Sequence, residues 1–209
     1  MNNEEQRPTM RTATEIARML QVLISLRVKA EEWVFNFART PEAYTAQREL
    51  FARIADTMKA SEYTETFRQM PAAAWILAPE AGAGKIGSLR YYWFGEGAVP
   101  LAWLLGVLPE LPPVEQSVNI VEDLQVVPLP FRECGPTAAQ AFVREAHVRV
   151  DEGVALQSLR TLEALREALI PTGKKKLPTE VQKQLSRSVE RARFLSWGLG
   201  LPIRKPRLA

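Results

Sequence analysis

The sequence predicts a mainly α-helical fold, a single compact domain of roughly eight helices with a proline-rich irregular segment in the middle. Three observations support this class. Apolar residues recur at helical spacing in several long stretches, capping motifs precede those stretches and glycines follow them, and no stretch shows the apolar–polar alternation of a strand.

The N-terminal third predicts three helices. Thr12-Ala13-Thr14-Glu15 has the spacing of a capping box, and the broad apolar stripe after it predicts a first helix buried on more than one side. Thr40-Pro41 reads as an N-cap followed by proline, which predicts a second helix from Pro41 to about Lys59. Ser61 to Met70 predicts a short third helix, whereas the following Ala72 to Leu77 is ambiguous in type.

The middle of the chain is rich in aromatic residues and then in prolines. Glycines and a proline interrupt Gly87 to Leu108, so we expect two helical pieces that meet at a buried bend, the second ending at Trp103 and Gly106. Prolines then break the chain as far as Pro136, and only Val118 to Val127 is expected to be ordered there, as either helix or strand.

The C-terminal third predicts helices over Ala138 to Val150 and over Leu156 to Leu169. A final helix should open with a second capping box at Thr179 and end at Gly200, with Trp197 in its last turn.

Composition indicates an ordinary folded protein. Of the 209 residues, 46% are hydrophobic and 24% charged, which argues against a disordered chain. We expect a flexible N-terminus over 1–10, one helical domain over 11–201 and a basic tail over 202–209. The apolar stretches are too short to span a membrane and the start of the chain is acidic, so neither a membrane span nor a signal peptide is expected. The single cysteine, Cys134, favours the cytoplasm, most naturally that of a bacterium.

Charge is distributed unevenly along the chain. Residues 1–170 hold 17 Lys and Arg against 22 Asp and Glu, a net charge of −5, whereas residues 171–209 hold 10 against 2, a net charge of +8. Such a basic region can bind nucleic acid, although exposed lysines are also common in a turn like the one around Gly173. The candidate nucleic-acid-binding residues are Lys174, Lys175, Lys176, Arg204, Lys205 and Arg207.

Residues suited to catalysis or to cofactor binding are scarce. His147 is the only histidine, so no metal site is predicted, and the pair His147 and Asp151 is expected to be an ordinary contact on a helix face. Gly82-Ala83-Gly84-Lys85 lacks the first glycine and the final Ser or Thr of a phosphate-binding loop. We therefore assign no catalytic residue and no cofactor, and we lean against an enzyme.

Two carboxylates in apolar surroundings, Glu96 and Glu190, need partners, because a buried charge is costly when it is unpaired. One interpretation is a buried ion-pair network that fixes how the middle and last helices dock. The other is a polar pocket lined by aromatic residues. The candidate residues for either arrangement are Arg90, Tyr91, Tyr92, Trp93, Glu96, Glu190, Arg191, Arg193 and Trp197.

The order of these motifs resembles a bacterial family of uncharacterised proteins, the domain of unknown function 4272. The resemblance rests on an N-terminal helix like Glu15 to Arg27, on Trp93-Phe94-Gly95-Glu96, on Trp103 and Gly106 before Leu111-Pro112-Pro113, and on Glu190-Arg191 through Trp197. It covers roughly 11–201, but Phe94-Gly95 and the basic tail depart from the family pattern. The resemblance implies a helical cytosolic protein and no particular activity.

Three hypotheses about function follow. The first is a non-enzymatic module that binds another protein, as an adaptor, regulatory or immunity-type factor. The second is weak nucleic-acid binding through the basic C-terminal region, and the third is an enzyme that uses Glu96 or Glu190 in a polar pocket. No membrane partner is expected.

Overall fold

The computed structural model describes residues 9–35, 40–77, 91–170 and 177–201, and this part of the chain forms eight α-helices and no strand. The predicted mainly α class is confirmed. The helices are α1 (Ala13–Val34), α2 (Pro41–Met58), α3 (Thr64–Gln69), α4 (Ala98–Leu104), α5 (Ile120–Asp123), α6 (Gly135–Glu145), α7 (Glu152–Leu169) and α8 (Thr179–Gly198). Three short 3₁₀ helices cover Ser61–Tyr63, Pro71–Leu77 and Gly95–Gly97.

Helix α1 runs through the centre of the fold. Its capping box forms as predicted, since the Thr12 hydroxyl accepts from the Glu15 amide at 3.3 Å and the Glu15 carboxylate accepts from the Thr12 amide at 3.0 Å. From Ile16 to Leu26 the helix is buried on nearly every side, because α2, α3, α4, α5 and α6 all pack against it. The prediction of a helix buried on more than one side is therefore confirmed.

The predicted bend before α4 is the 3₁₀ helix Gly95–Gly97, which joins a helical turn over 91–94 to α4. A Cβ on Gly97 would lie 2.0 Å from the Phe194 ring, so this close approach to α8 requires glycine. Helices α4 and α8 both end as predicted, with Gly106 and Gly200 at a φ of 71°. In both helices the amide after the glycine bonds back to the last turn, as in a Schellman motif.

The proline-rich segment contains one short helix. Val118 to Val127 forms the four-residue α5 and a turn, so its ordered part is helical and not extended. The segment nevertheless contributes to the core, because Val118, Ile120, Leu124 and Val127 are buried. The prolines thus limit the helix length while the apolar residues between them fix the segment on α1.

Three predictions about the C-terminal helices are wrong. The helix expected over Ala138 to Val150 ends at Glu145, and the chain then runs extended, which places His147 outside any helix. Asp151 does not face His147 along a helix but caps α7, accepting from the amides of Gly153 at 2.8 Å and Val154 at 3.3 Å.

The capping box predicted at Thr179 is also wrong. Pro178 occupies the N-cap position and its carbonyl accepts from the Gln182 amide, so Thr179 is already the first helical residue and its side chain makes no cap bond. The Gln182 side chain instead donates to the Leu177 carbonyl at 2.6 Å.

Helices α7 and α8 pack along each other, and α8 also packs on α4 and on the Gly95–Gly97 turn. Most buried apolar residues of the described part form one cluster, and Met10 packs against it ahead of the predicted domain start. None of the described helices has the length and apolar character needed to cross a membrane.

Candidate functional site: a buried charge network and an aromatic surface

Glu96 lies at the centre of a buried charge network. The 3₁₀ helix Gly95–Gly97 presses it against α8, where its side chain is 3% exposed and faces Arg191, which is fully buried. The Nε and Nη2 atoms of Arg191 donate to the Glu96 Oε2 atom at 3.2 and 3.0 Å. Arg187, one turn earlier on α8, places its Nε atom 3.8 Å from Glu96 Oε1. One carboxylate thus holds two arginines on the same face of α8.

The same arginines bind the backbone of the proline-rich segment. Arg191 donates through Nη1 to the carbonyl oxygens of Pro112 at 2.8 Å and Pro113 at 3.1 Å. Arg187 donates through Nη1 to the Val114 carbonyl at 3.0 Å. These bonds satisfy carbonyl groups that proline-rich, non-helical backbone leaves without regular partners, so the network fixes an irregular segment on α8.

Burial lowers the pKa of the Arg191 guanidinium, and the neighbouring Glu96 carboxylate opposes that shift. The carboxylate thus favours the charged form of Arg191 in a place where the guanidinium is not in contact with bulk solvent. This is the arrangement of an ion-pair network that docks helices, and it leaves Glu96 without the solvent access that acid–base chemistry on a substrate requires.

The remaining predicted residues of α8 lie beside charged or aromatic neighbours. Arg193 lies with its Nη1 atom 3.4 Å from Glu190 Oε2, and its guanidinium lies 4.8 Å from the centre of the Phe94 ring. Trp197 is 2% exposed and is covered by Arg11, whose guanidinium lies 4.5 Å from the ring and donates to the Trp197 carbonyl. Glu190 and Glu96 thus have separate partners.

Three aromatic residues form what we call the aromatic surface, namely Phe35, Tyr92 and Trp93. Phe35 follows α1 and is 62% exposed, more than the other exposed aromatic residue, Tyr44, at 44%. Its ring meets the Tyr92 ring edge-on at 5.2 Å, and Tyr92 meets Trp93 in the same way at 5.5 Å. Tyr92 and Trp93 are half-buried.

Arg27 on α1 holds the aromatic surface in place from below. Its guanidinium carbon lies 3.2 Å from the centre of the Tyr92 ring, its Nη1 atom donates to the Tyr92 carbonyl at 3.0 Å, and Glu31 pairs with its Nε atom. Arg27 is only 4% exposed, so both the ring and the backbone of Tyr92 are fixed by a buried cation. Tyr92, the central ring of the aromatic surface, is therefore held in place by contacts within the protein.

Next to it lies a second buried cation, Lys29. Its ammonium group donates to the Trp75 carbonyl at 2.9 Å and lies 4.5 Å from the Trp75 ring, which stacks on Tyr91 at 4.5 Å. Burial lowers the pKa of Lys29 to about 8. Tyr91 thus packs on Trp75, whose carbonyl accepts the hydrogen bond of the buried lysine.

The other predicted site residues lie outside the described part of the chain. These are Arg90, the lysines Lys174, Lys175 and Lys176, and the tail residues Arg204, Lys205 and Arg207. The Gly82 to Lys85 turn also lies outside it.

The sequence interpretation missed Arg187, Arg27 and Lys29, three buried cations that the structure places in paired positions. Arg187 had a usable signal, since it precedes Arg191 by four residues and so lies on the same helix face. Arg27 and Lys29 stand in a helix buried nearly all round, where a charged side chain must find partners in the interior.

Comparison of the chain with protein-family models, with curated proteins and with solved structures finds no match. The resemblance to the domain of unknown function 4272 family stays a prediction.

Proposed function

We propose that this protein is a non-enzymatic module that binds another protein through the aromatic surface of Phe35, Tyr92 and Trp93. The observation that carries the proposal is the exposure of Phe35, 62% open to solvent, on a base that Arg27 fixes. An apolar ring of that size held in water gains free energy when a partner covers it.

The composition of this surface supports protein binding in particular. Tyrosine, tryptophan and arginine are the residues most enriched where protein interfaces concentrate their binding energy. Because Arg27 already orders Tyr92, a partner that covers the surface loses little additional side-chain entropy there. By contrast, the carboxylates that an enzyme would need, Glu96 and Glu190, are buried and paired with arginines.

The proposal includes a cytoplasmic location, favoured by the single cysteine, and a bacterial origin, favoured by the resemblance to the uncharacterised family. An adaptor, regulatory or immunity-type role fits a chain that exposes the Phe35 ring while its charged groups Glu96 and Arg191 face inward.

The experiment is a quantitative pulldown from lysate of the native host with tagged wild type, Phe35→Ala and Val154→Ala. Val154 lies on α7 and is 54% exposed, so its truncation removes a similar exposed apolar side chain from another surface. We expect a protein that is retained by wild type and Val154→Ala and is reduced at least tenfold with Phe35→Ala, as about 1.4 kcal/mol of lost contact requires. Equal recovery with all three proteins would contradict the proposal.

Salt distinguishes the nucleic-acid hypothesis in the same experiment. Binding through an apolar aromatic surface should survive a rise in salt, whereas phosphate contacts weaken steeply. Nucleic acid that leaves the resin as salt rises, with no protein dependent on Phe35, would favour the basic C-terminal region instead.

A further inference from the structure

A depression of about 290 Å³ lies between α1 and α6, away from the aromatic surface. Each of the two helices contributes one uncharged polar side chain and, one turn later, one arginine. Thr14 and Arg18 come from α1, and Gln140 and Arg144 come from α6. Glu62 and Tyr63, from the 3₁₀ helix Ser61–Tyr63, complete the lining.

The charges in this depression are unbalanced. Among the described residues, neither Arg18 nor Arg144 has a carboxylate within ion-pair distance. Glu62 is the one acidic residue in the lining, and its carboxylate accepts from the Gln140 side chain at 3.1 Å. The two guanidinium groups are therefore left to interact with solvent or with a bound anion.

The base of the depression is fixed by a buried hydrogen-bond network. Tyr63 is 1% exposed, and its hydroxyl donates to the Gln21 side chain at 2.7 Å. Gln21, fully buried on α1, donates in turn to the carbonyl oxygens of Pro128 at 2.8 Å and Ala139 at 3.1 Å. These bonds tie α1, the 3₁₀ helix and α6 together, so the spacing between the two helices that carry the arginines is set by the core.

We propose that this depression binds a phosphate group through Arg18 and Arg144. Guanidinium groups form paired, charge-assisted hydrogen bonds with phosphate oxygens, and two of them from opposite walls can neutralise a dianion. The Thr14 hydroxyl supplies a third donor on the same side as Arg18. The volume suits inorganic phosphate or a small phosphate monoester, and Glu62 would then accept a hydrogen bond from a hydroxyl of the ester.

The test is a calorimetric titration of the full chain with inorganic phosphate and, separately, with glycerol 3-phosphate, at constant ionic strength. The proteins are wild type, Arg18→Gln, Arg144→Gln and the control Arg160→Gln, an exposed arginine on α7 that does not line the depression. Circular dichroism and the Tm of each variant verify folding, which these partly or fully exposed side chains should not affect.

We expect saturable binding to wild type and to Arg160→Gln, with affinity at least tenfold weaker in Arg18→Gln and in Arg144→Gln. Tighter binding of glycerol 3-phosphate would identify an ester as the ligand, and tighter binding of the inorganic ion would identify free phosphate. Absence of saturation, or an equal loss in Arg160→Gln, would overturn the proposal. Because Phe35 is not part of this site, the outcome is independent of the pulldown.

Discussion

The buried Lys29 makes the stability of this protein depend on pH in a direction that can be calculated. Burial lowers the pKa of Lys29 from 10.5 to about 8, so the unfolded chain holds this proton more tightly than the folded one. Below pH 8 the buried ammonium group destabilises the folded state by its full amount. This destabilisation disappears as pH rises from about 8 toward the unfolded pKa of 10.5. The free energy of unfolding should therefore increase with pH in this window.

The magnitude follows from the size of the shift. Each unit of pKa difference corresponds to about 1.4 kcal/mol, so the full effect is about 3 kcal/mol, of which about 1 kcal/mol should be recovered between pH 7 and pH 9. Other groups also titrate between pH 7 and pH 9, so a reference protein is needed. Lys29→Met serves as this reference because it keeps the length of the side chain and removes the charge.

The assay is urea unfolding of wild type and Lys29→Met, followed by tryptophan fluorescence at pH 7, 8 and 9. We expect the difference in unfolding free energy between the two proteins to shift in favour of wild type by about 1 kcal/mol from pH 7 to pH 9. A difference that does not change with pH, or that shifts the other way, would show that burial does not lower the pKa of Lys29 in the folded protein.

Four further substitutions test the packing and the helix caps, each by the free energy of unfolding in urea. Glu96→Gln should cost about 3–5 kcal/mol, because it leaves the fully buried Arg191 without its counter-charge and removes one of the two carboxylates near Arg187. Gly97→Ala should cost about 1–3 kcal/mol, because its Cβ would lie 2.0 Å from the Phe194 ring. Asp151→Ala should cost about 1 kcal/mol by removing the cap of α7, whereas Thr179→Ala should change little because Thr179 caps nothing.

Three results would contradict these expected losses in stability. A loss below about 1 kcal/mol in Glu96→Gln would show that the network contributes little to docking. A neutral Gly97→Ala would show that the turn and α8 can move apart. A larger loss of unfolding free energy in Thr179→Ala than in Asp151→Ala would show that Thr179 does cap α8.

Much of the fold could be predicted because the decisive signals are local. A capping box or a terminal glycine depends only on residues within one helical turn. The structure accordingly begins a helix after Thr12 and ends helices at Gly106 and Gly200. The capping box predicted at Thr179 does not form, because Pro178 has an extended backbone and occupies the N-cap position. Apolar spacing alone could not show that the helix before His147 ends at Glu145.

The candidate site was less predictable because it depends on contacts between distant parts of the chain. Sequence analysis identified Glu96 as a carboxylate in need of an arginine and named Arg191 among the candidates, but not Arg187. The exposure of Phe35 could not be predicted, since its place beside Tyr92 depends on how α1 meets a turn more than fifty residues away. Composition can predict that aromatic residues are present but not which of them face solvent.

The most direct test of the proposed function is hydroxyl-radical footprinting of the protein, free and in complex with the partner recovered by the pulldown. We expect oxidation of Phe35 and Trp93 to fall severalfold in the complex, while oxidation of Val154 on the other surface is unchanged. Unchanged oxidation of Phe35 and Trp93 in a formed complex would show that the partner binds elsewhere and that the aromatic surface is not the binding site.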